Sequence, residues 1–416
     1  MGVALQYTTK KLKTCEADRA FLPTQNRRGF EMKKWWLLFA LVALTLAAVP
    51  AAAVDWNFYG SARLATWYQS GDAPALMSSN DNGNLDVTDS ELTWDLSPES
   101  RIGAKVKHHH LSGYFEYGGN ADLRLLYGVW KPFGEQSWEL LVGKAYTPLG
   151  SLFYAKQVYY NDNDLEATGQ PWDGRKPMVQ VKYEGFKLAF INVSGSSDLG
   201  VTYADGGQTR PGDVDVLIPK IQAGYHHDWQ RVFVDILGGY QTYRIEDPLG
   251  AGEDFDVDAY VIGGGAGVTI GAAYVRGFVW YGQNASQFDL TSLSPESLNG
   301  NPVAGAQVVA DANGNAVDVQ DTNNLGALGV IGYKLNDMFA LEGGYGYLKN
   351  TNDLYDQLSG NDSVIQTWYV QATITLARGV FIVPEIGQYD YGDSAIAPGR
   401  DLKDFWYAGA KWQIDF

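Results

Sequence analysis

The stretch DFWYAGAKWQIDF, residues 404–416, decides the fold. Trp406, Ala408, Ala410, Trp412, Ile414 and Phe416 fall on one face. Tyr407, Gly409, Lys411, Gln413 and Asp415 fall on the other. A repeat of two is that of a strand with one apolar and one wet face. Residues 364–376 repeat the pattern, with Trp368, Val370, Ala372, Ile374 and Leu376 opposite Tyr369, Gln371, Thr373 and Thr375. Soluble sandwiches use strands of about five or six residues, whereas about ten are needed to cross a bilayer at a tilt. Many runs in this chain reach ten to thirteen. The reading is an all-β fold, a transmembrane antiparallel barrel.

Working outward, sixteen such strands are expected: 56–69, 90–107, 112–118, 122–132, 138–146, 178–184, 186–194, 215–227, 231–243, 256–268, 271–283, 323–335, 338–350, 364–376, 380–391 and 403–416. The long connections, such as 147–177 and 284–322, all follow odd-numbered strands. The others are tight, as at Glu184-Gly185 and Leu335-Asn336-Asp337. An even strand number with short turns at one end and long loops at the other is the pattern of bacterial outer-membrane barrels. Ser97-Pro98-Glu99-Ser100 interrupts the second run. However, Leu92, Trp94, Leu96, Ile102, Ala104 and Val106 keep one parity across it, so one strand with a local irregularity is expected.

The start of the chain follows a different logic. Met32-Lys33-Lys34 is basic, Trp35 to Val49 is apolar except for Thr45, and Ala51-Ala52-Ala53 follows Pro50. This is the layout of a cleaved signal peptide over 32–53, with 1–31 an unstructured start-site extension and 54–416 the barrel domain. Cleavage after Ala53 removes eight basic and three acidic residues, leaving a net charge of −22, and removes Cys15, the sole cysteine. An exported, thiol-free, acidic chain argues against thiolate metal chemistry and nucleic-acid binding. The expected location is the bacterial outer membrane.

Reactive chemistry is sparse. The five histidines form two groups, His108-His109-His110 and His226-His227, at strand ends without carboxylate or cysteine company, so no metal site is assigned. The run 263–267 (GGGAG) lies in a strand with no helix after it, and DANGN at 311–315 lacks the glycine and glutamate of a calcium loop. No nucleophile has a plausible partner histidine, and no cofactor is implied. Arg63, Arg101, Arg124 and Lys182 occupy wet-face positions. A charge facing lipid at mid-depth costs roughly 2–4 kcal/mol, so these side chains are expected in the lumen. The 147–177 loop opposes them with Asp162, Asp164, Glu166 and Asp173.

Several short motifs, taken together, resemble the general trimeric porins of Gram-negative bacteria. They are Asn57-Phe-Tyr-Gly-Ser-Ala-Arg63, Ser100-Arg101-Ile-Gly, Val142-Gly-Lys144, Tyr146-Thr-Pro148, Gly174-Arg175-Lys176-Pro177 and the terminal Phe416. The resemblance implies a homotrimer of sixteen-stranded barrels whose third loop folds inward. It implies a basic ladder of Arg63, Arg101, Lys144 and Arg175 facing Asp162, Asp164 and Glu166 at the narrowest point. Simple alternation sets Lys144 with Trp138, Leu140 and Val142, so a lumenal Lys144 requires a twist after Gly143. Trp412, Ile414 and Phe416 resemble the terminal signal read by the barrel-assembly machinery. Outer-membrane lipid and lipopolysaccharide are the implied surroundings. The expected function is passive diffusion of ions and small hydrophilic solutes. A substrate-selective channel of the same fold is the nearest alternative; a barrel lipase or protease and a sheath for an electron carrier are more distant ones.

Overall fold

The computed structural model describes residues 55–71, 91–134, 138–193 apart from 163 and 167, 202–205, 208–211, 213–216, 218–246, 254–290, 296–298, 301–310, 316–402 and 404–416. The expected signal peptide and start-site extension, and the DANGN segment, lie outside these residues.

Sixteen antiparallel strands form one closed sheet. They are β1 (Asp55–Gly71), β2 (Glu91–Leu96 continued by Arg101–His108), β3 (Leu111–Gly118), β4 (Leu123–Trp130), β5 (Glu139–Tyr146), β6 (Arg175–Tyr183), β7 (Phe186–Ile191) and β8 (Asp213–Asp215 continued by Lys220–Asp228). Then follow β9 (Val232–Glu246), β10 (Phe255–Ile270), β11 (Ala273–Gln283), β12 (Asn323–Lys334), β13 (Phe339–Thr351), β14 (Ser363–Ala377), β15 (Val380–Asp390) and β16 (Asp404–Asp415). Each strand pairs with its neighbours in sequence, and β16 returns to β1 in register from Ser61↔Asp415 to Gly71↔Phe405. Closure removes both sheet edges, the condition for a sheet to sit in hydrocarbon without unpaired backbone groups.

The Pro98 irregularity is a bulge within one strand. Both halves of β2 pair with β1, through Leu64↔Leu96 above it and Ser61↔Arg101 below it. Four residues, 97–100, therefore span the two positions Ala62 and Arg63. Ser97 N donates to Arg63 O at 2.9 Å, and Ser100 Oγ both accepts from Arg63 N and donates to Arg63 O at 3.0 Å. The hydroxyl of Ser100 takes on ladder bonds that proline and the extra residues interrupt.

The two faces separate as the alternation requires. Trp406, Trp412, Ile414 and Phe416 are exposed on the outside of β16, while Phe405 and Tyr407 are buried within the barrel. Trp94, Ile102, Ile236, Ile262, Val279, Ile331 and Val370 continue the exposed apolar surface around the wall. Apolar side chains on the outside of a closed barrel match a lipid solvent.

Candidate functional site

The core of this barrel is the third loop, 147–174, whose side chains and backbone are bonded to the inner wall. Tyr154 donates its hydroxyl to Asp235 of β9 at 2.5 Å. Lys156 N donates to Glu342 of β13 at 2.8 Å. Val158 N and Tyr159 N donate to the two oxygens of Glu385 on β15 at 2.8 and 3.0 Å. Gln157 reaches Tyr407 of β16 at 2.8 Å, and Trp280 of β11 donates to Gly169 O at 3.1 Å. Tyr159 stacks on Tyr407 with centroids 3.7 Å apart. Gly169, at φ +108°, passes so close to Ala327 that a Cβ would sit 2.2 Å from its carbonyl oxygen. Buried carboxylates that accept backbone N–H groups satisfy both partners, so the loop docks without orphaned donors there.

Between this loop and the wall lies a cavity of about 690 Å³. Arg63, Arg101, Lys156, Arg175 and Lys411 line it, as do Glu99, Asp162, Asp164, Glu166 and Asp415. Five cations meet five carboxylates, so the formal charge of this lining is zero although the chain is strongly acidic.

The charges fall into two groups. At the loop tip, Asp162 is bonded to Arg63, and Lys411 Nζ lies 2.6 Å from its other oxygen. At the β2–β4 corner, Arg124 holds Glu99 at 2.5 Å and Glu116 at 2.7 Å. Arg101 reaches Glu116 only at 3.9 Å, and Arg175 reaches Glu99 at 3.7 Å. Arg175 also lies 5.3 and 5.5 Å from the ring centres of Tyr146 and Trp172. Asp162, Asp164 and Leu165 all have positive φ, of 59°, 52° and 64°. Such a bend is costly for Leu165, whose side chain is fully buried and whose N–H is taken by Gln157 at 3.1 Å.

Burial raises the pKa of Asp164 well above the usual carboxylate range, and neighbouring Asp162 and Glu166 add to it. Burial, with Glu99 beside it, does the same to Glu166. Both still present part of their surface to the cavity. A carboxyl enclosed by the barrel loses bulk hydration even where one edge is wet.

Of the residues expected at the constriction, Arg63, Arg101, Arg175, Asp162, Asp164 and Glu166 all line the cavity. Lys144 does not. Gly143, at φ +130°, sits tight against Leu126 and Tyr127. Lys144 pairs in register with the exposed Leu126 and donates to Leu123 O at 2.7 Å. The ladder passes Gly143 without a register shift, so Lys144 keeps the side of Val142 and its ammonium bonds a wall carbonyl. Asp173 is also away from the cavity, fully buried against Lys220 at 3.3 Å. Its pKa is pushed up to about 6 by burial, with Lys220 holding it down. Lys411 was visible on the wet face of 404–416, and only barrel closure placed it beside Arg63. At the strand ends, His226 pairs with Asp235 at 2.7 Å, and the His108 and His109 rings lie 4.4 Å apart.

No protein-family model and no curated protein sequence matches the chain. Solved structures do. The outer-membrane channel DcaP of Acinetobacter baumannii matches with a TM-score of 0.61 at 15% identity, over 88% of this chain and 98% of that one. OmpT of Vibrio cholerae, in its trimer form, matches at 0.53 and 14%, over 88% and 100%. An anion-selective porin from Comamonas acidovorans matches at 0.51 and 12%, over 88% and 100%. At these identities the likeness is one of fold, and that fold is the sixteen-stranded barrel of Gram-negative outer-membrane porins.

Proposed function

We propose that the chain is a passive outer-membrane channel for ions and small hydrophilic solutes, with its constriction between the third loop and the β1–β2–β6–β16 wall. The observation that carries this reading is the charged cavity left beside a loop tied to the inner wall. Such a lining favours water and ions at the narrowest point, and fixed charges of both signs act strongly between low-dielectric walls. The proposed basic side is Arg63, Arg101, Arg175 and Lys411 on the wall, and the acidic side is Asp164 and Glu166 on the loop. Asp162 bonds the loop tip to the wall, so it marks the edge of the passage.

The reading extends to biogenesis and assembly. Export through a signal peptide ending at Ala53 would deliver a chain starting at Val54, and the aromatic surface of β16 would present Phe416 to the barrel-assembly machinery. A homotrimer, in lipid and lipopolysaccharide, is proposed from the resemblance and from the trimer form of OmpT. Single-channel recording in planar bilayers tests the central claim. Stable ohmic steps in potassium chloride support it, and a folded barrel that produces no steps refutes it.

A substrate-selective channel remains the second reading, and one observation favours it. Four aromatic rings line the same charged cavity, that of Phe381 and, lying together, those of Tyr146, Phe153 and Trp172.

A further inference from the structure

Those three rings form a cluster, with Tyr146 edge-to-face to both others and Phe153 tilted against Trp172. The Tyr146–Phe153, Tyr146–Trp172 and Phe153–Trp172 centroids lie 6.0, 5.7 and 5.7 Å apart. Phe153 is 43% exposed, whereas its loop neighbours Tyr154 and Tyr159 are buried. An apolar ring left open in a wet constriction gains nothing from water; it gains from a solute that covers it.

What stands beside the rings narrows the solute. Arg175 covers Tyr146 and Trp172 and donates to the Tyr146 hydroxyl at 3.2 Å. Arg124, Arg101 and Arg175 share Glu99 and Glu116, three guanidiniums to two carboxylates. Arg124 makes the short bonds to both. Arg101 and Arg175 hold theirs at 3.9 and 3.7 Å, beyond hydrogen-bond length, and both line the cavity. A guanidinium whose partner is already committed elsewhere exchanges it readily for an incoming carboxylate, which it grips by two parallel bonds. The remaining lining supplies acceptors: Asp164, which makes no ion pair among the described residues, and Thr373.

We infer that this corner of the cavity is a recognition subsite for cyclic carboxylates, with the ring laid on Phe153 and Trp172 and its carboxylate held by Arg175 and Arg101. Acceptors across the cavity suit hydroxyls on the far edge of the ring, so the class is the ring-closed sugar acids. The inference rests on the channel reading above and deepens it. A solute of this class gains residence time at the eyelet, which raises its flux at low concentration, and at high concentration it blocks ion current.

The test is block of potassium chloride current by glucuronate, with glucose (same ring, no charge), gluconate (same charge, open chain) and benzoate (charged ring without hydroxyls) as comparators. Wild-type channels should reach half-block at a glucuronate concentration at least fivefold lower than for glucose or gluconate. Benzoate should fall between. Phe153→Ala and Trp172→Ala should each raise the glucuronate half-block concentration about fivefold, with block measured against each variant's own open-channel current. Trp172→Phe should restore most of the block. Equal block by gluconate removes the ring from the explanation, and equal block by glucose removes the arginines. Stronger block by benzoate overturns the sugar-acid assignment, and unchanged block in both alanine variants overturns the subsite itself. Ohmic steps with no block by any of the four solutes refute the inference while leaving the channel reading intact. Absence of steps refutes the channel reading first.

Discussion

Lys411 and Asp162 are separated by 249 residues and meet at 2.6 Å. The pair joins the last strand to the tip of the third loop, and Arg63 of the first strand bonds the same carboxylate. Both flanking cations keep only about a tenth of their side-chain surface open. One carboxylate therefore bridges two partly buried cations across the β16–β1 seam and offsets half of their charge. Such charged hydrogen bonds contribute roughly 1.5–3 kcal/mol before screening by water.

Asp162→Asn should consequently loosen the loop tip. Two cations left facing each other without their anion repel the tip from the wall, so single-channel conductance should rise and its step distribution should broaden. Bilayer recordings that show wild-type step size and width would mean that the backbone anchors at Glu342 and Glu385 hold the loop unaided.

How much of this was legible in the chain depends on range. The alternation of Trp406 to Phe416 was readable because each strand has lipid on one side and water on the other, a contrast that survives without tertiary knowledge. The Pro98 bulge was readable from the parity of Leu96 and Ile102. Lys411 was readable as lumenal, but its partner depended on barrel closure. Lys144 shows the opposite case: its sequence neighbours match the motif, and the unbroken ladder through Gly143 leaves it on the Leu123 carbonyl. Similarly, Asp162 reads as one member of an acidic row facing arginines across a gap, whereas in the fold it touches Arg63 and closes the gap at that point.

A pH dependence follows from Asp164 and Glu166. Burial raises both pKa values, so these groups take up protons while ordinary surface carboxylates are still ionised. As pH falls, the cavity lining moves from a formal charge of zero toward a positive one. Reversal potential measured between pH 8 and pH 5 should shift toward anions, and the shift should vanish in the double variant Asp164→Asn, Glu166→Gln. The linkage has the matching sign. Because the folded pKa values are raised, ionisation of these groups opposes folding above them, and that penalty disappears as pH falls. A reversal potential flat across the range in wild-type protein would contradict the assignment.

Closure at the carboxyl terminus makes its own demand. Phe416 N donates to Gly60 O at 3.0 Å, and Gly60 N donates to Phe416 O at 2.8 Å. The Phe416 ring lies over Gly60, where an added Cβ would sit 2.4 Å from it. Deleting Phe416 removes two ladder bonds at the seam along with the terminal aromatic, so the yield of heat-modifiable barrel should fall severalfold. Gly60→Val should cause a smaller loss by displacing the ring. Wild-type amounts of folded protein from the deletion would separate closure from this residue.

Assembly into trimers is expected to use the exposed aromatics of β1 and β2. Trp56 and Phe58 stack at 5.9 Å and are 57% and 69% exposed, with Trp94 at 67%. Unheated electrophoresis or native mass measurement should give three times the monomer mass. The triple change Trp56→Ser, Phe58→Ser, Trp94→Ser should shift the population to monomer with the barrel still folded. A wild-type protein that runs as a monomer in mild detergent would reassign these rings to lipid contact.

Ion selectivity should be set at the constriction rather than by the overall charge. The net charge of −17 lies away from the cavity, whose lining sums to zero, and at 0.1 M salt charges beyond about 10 Å are screened. Inside, a single charge about 6 Å from a passing ion changes its energy by about 0.7 kcal/mol even at the dielectric constant of water, roughly a threefold change in local concentration. Neutralising Asp162, Asp164 and Glu166 together should therefore move reversal potential toward anions. Arg101→Gln with Arg175→Gln should move it toward cations by a comparable amount. Both displacements should shrink as salt rises from 0.1 M toward 1 M, where the screening length falls to about 3 Å. If neither set moves the reversal potential at low salt, ions do not pass between the 162–166 segment and the β2–β6 wall, and the constriction lies elsewhere in the barrel.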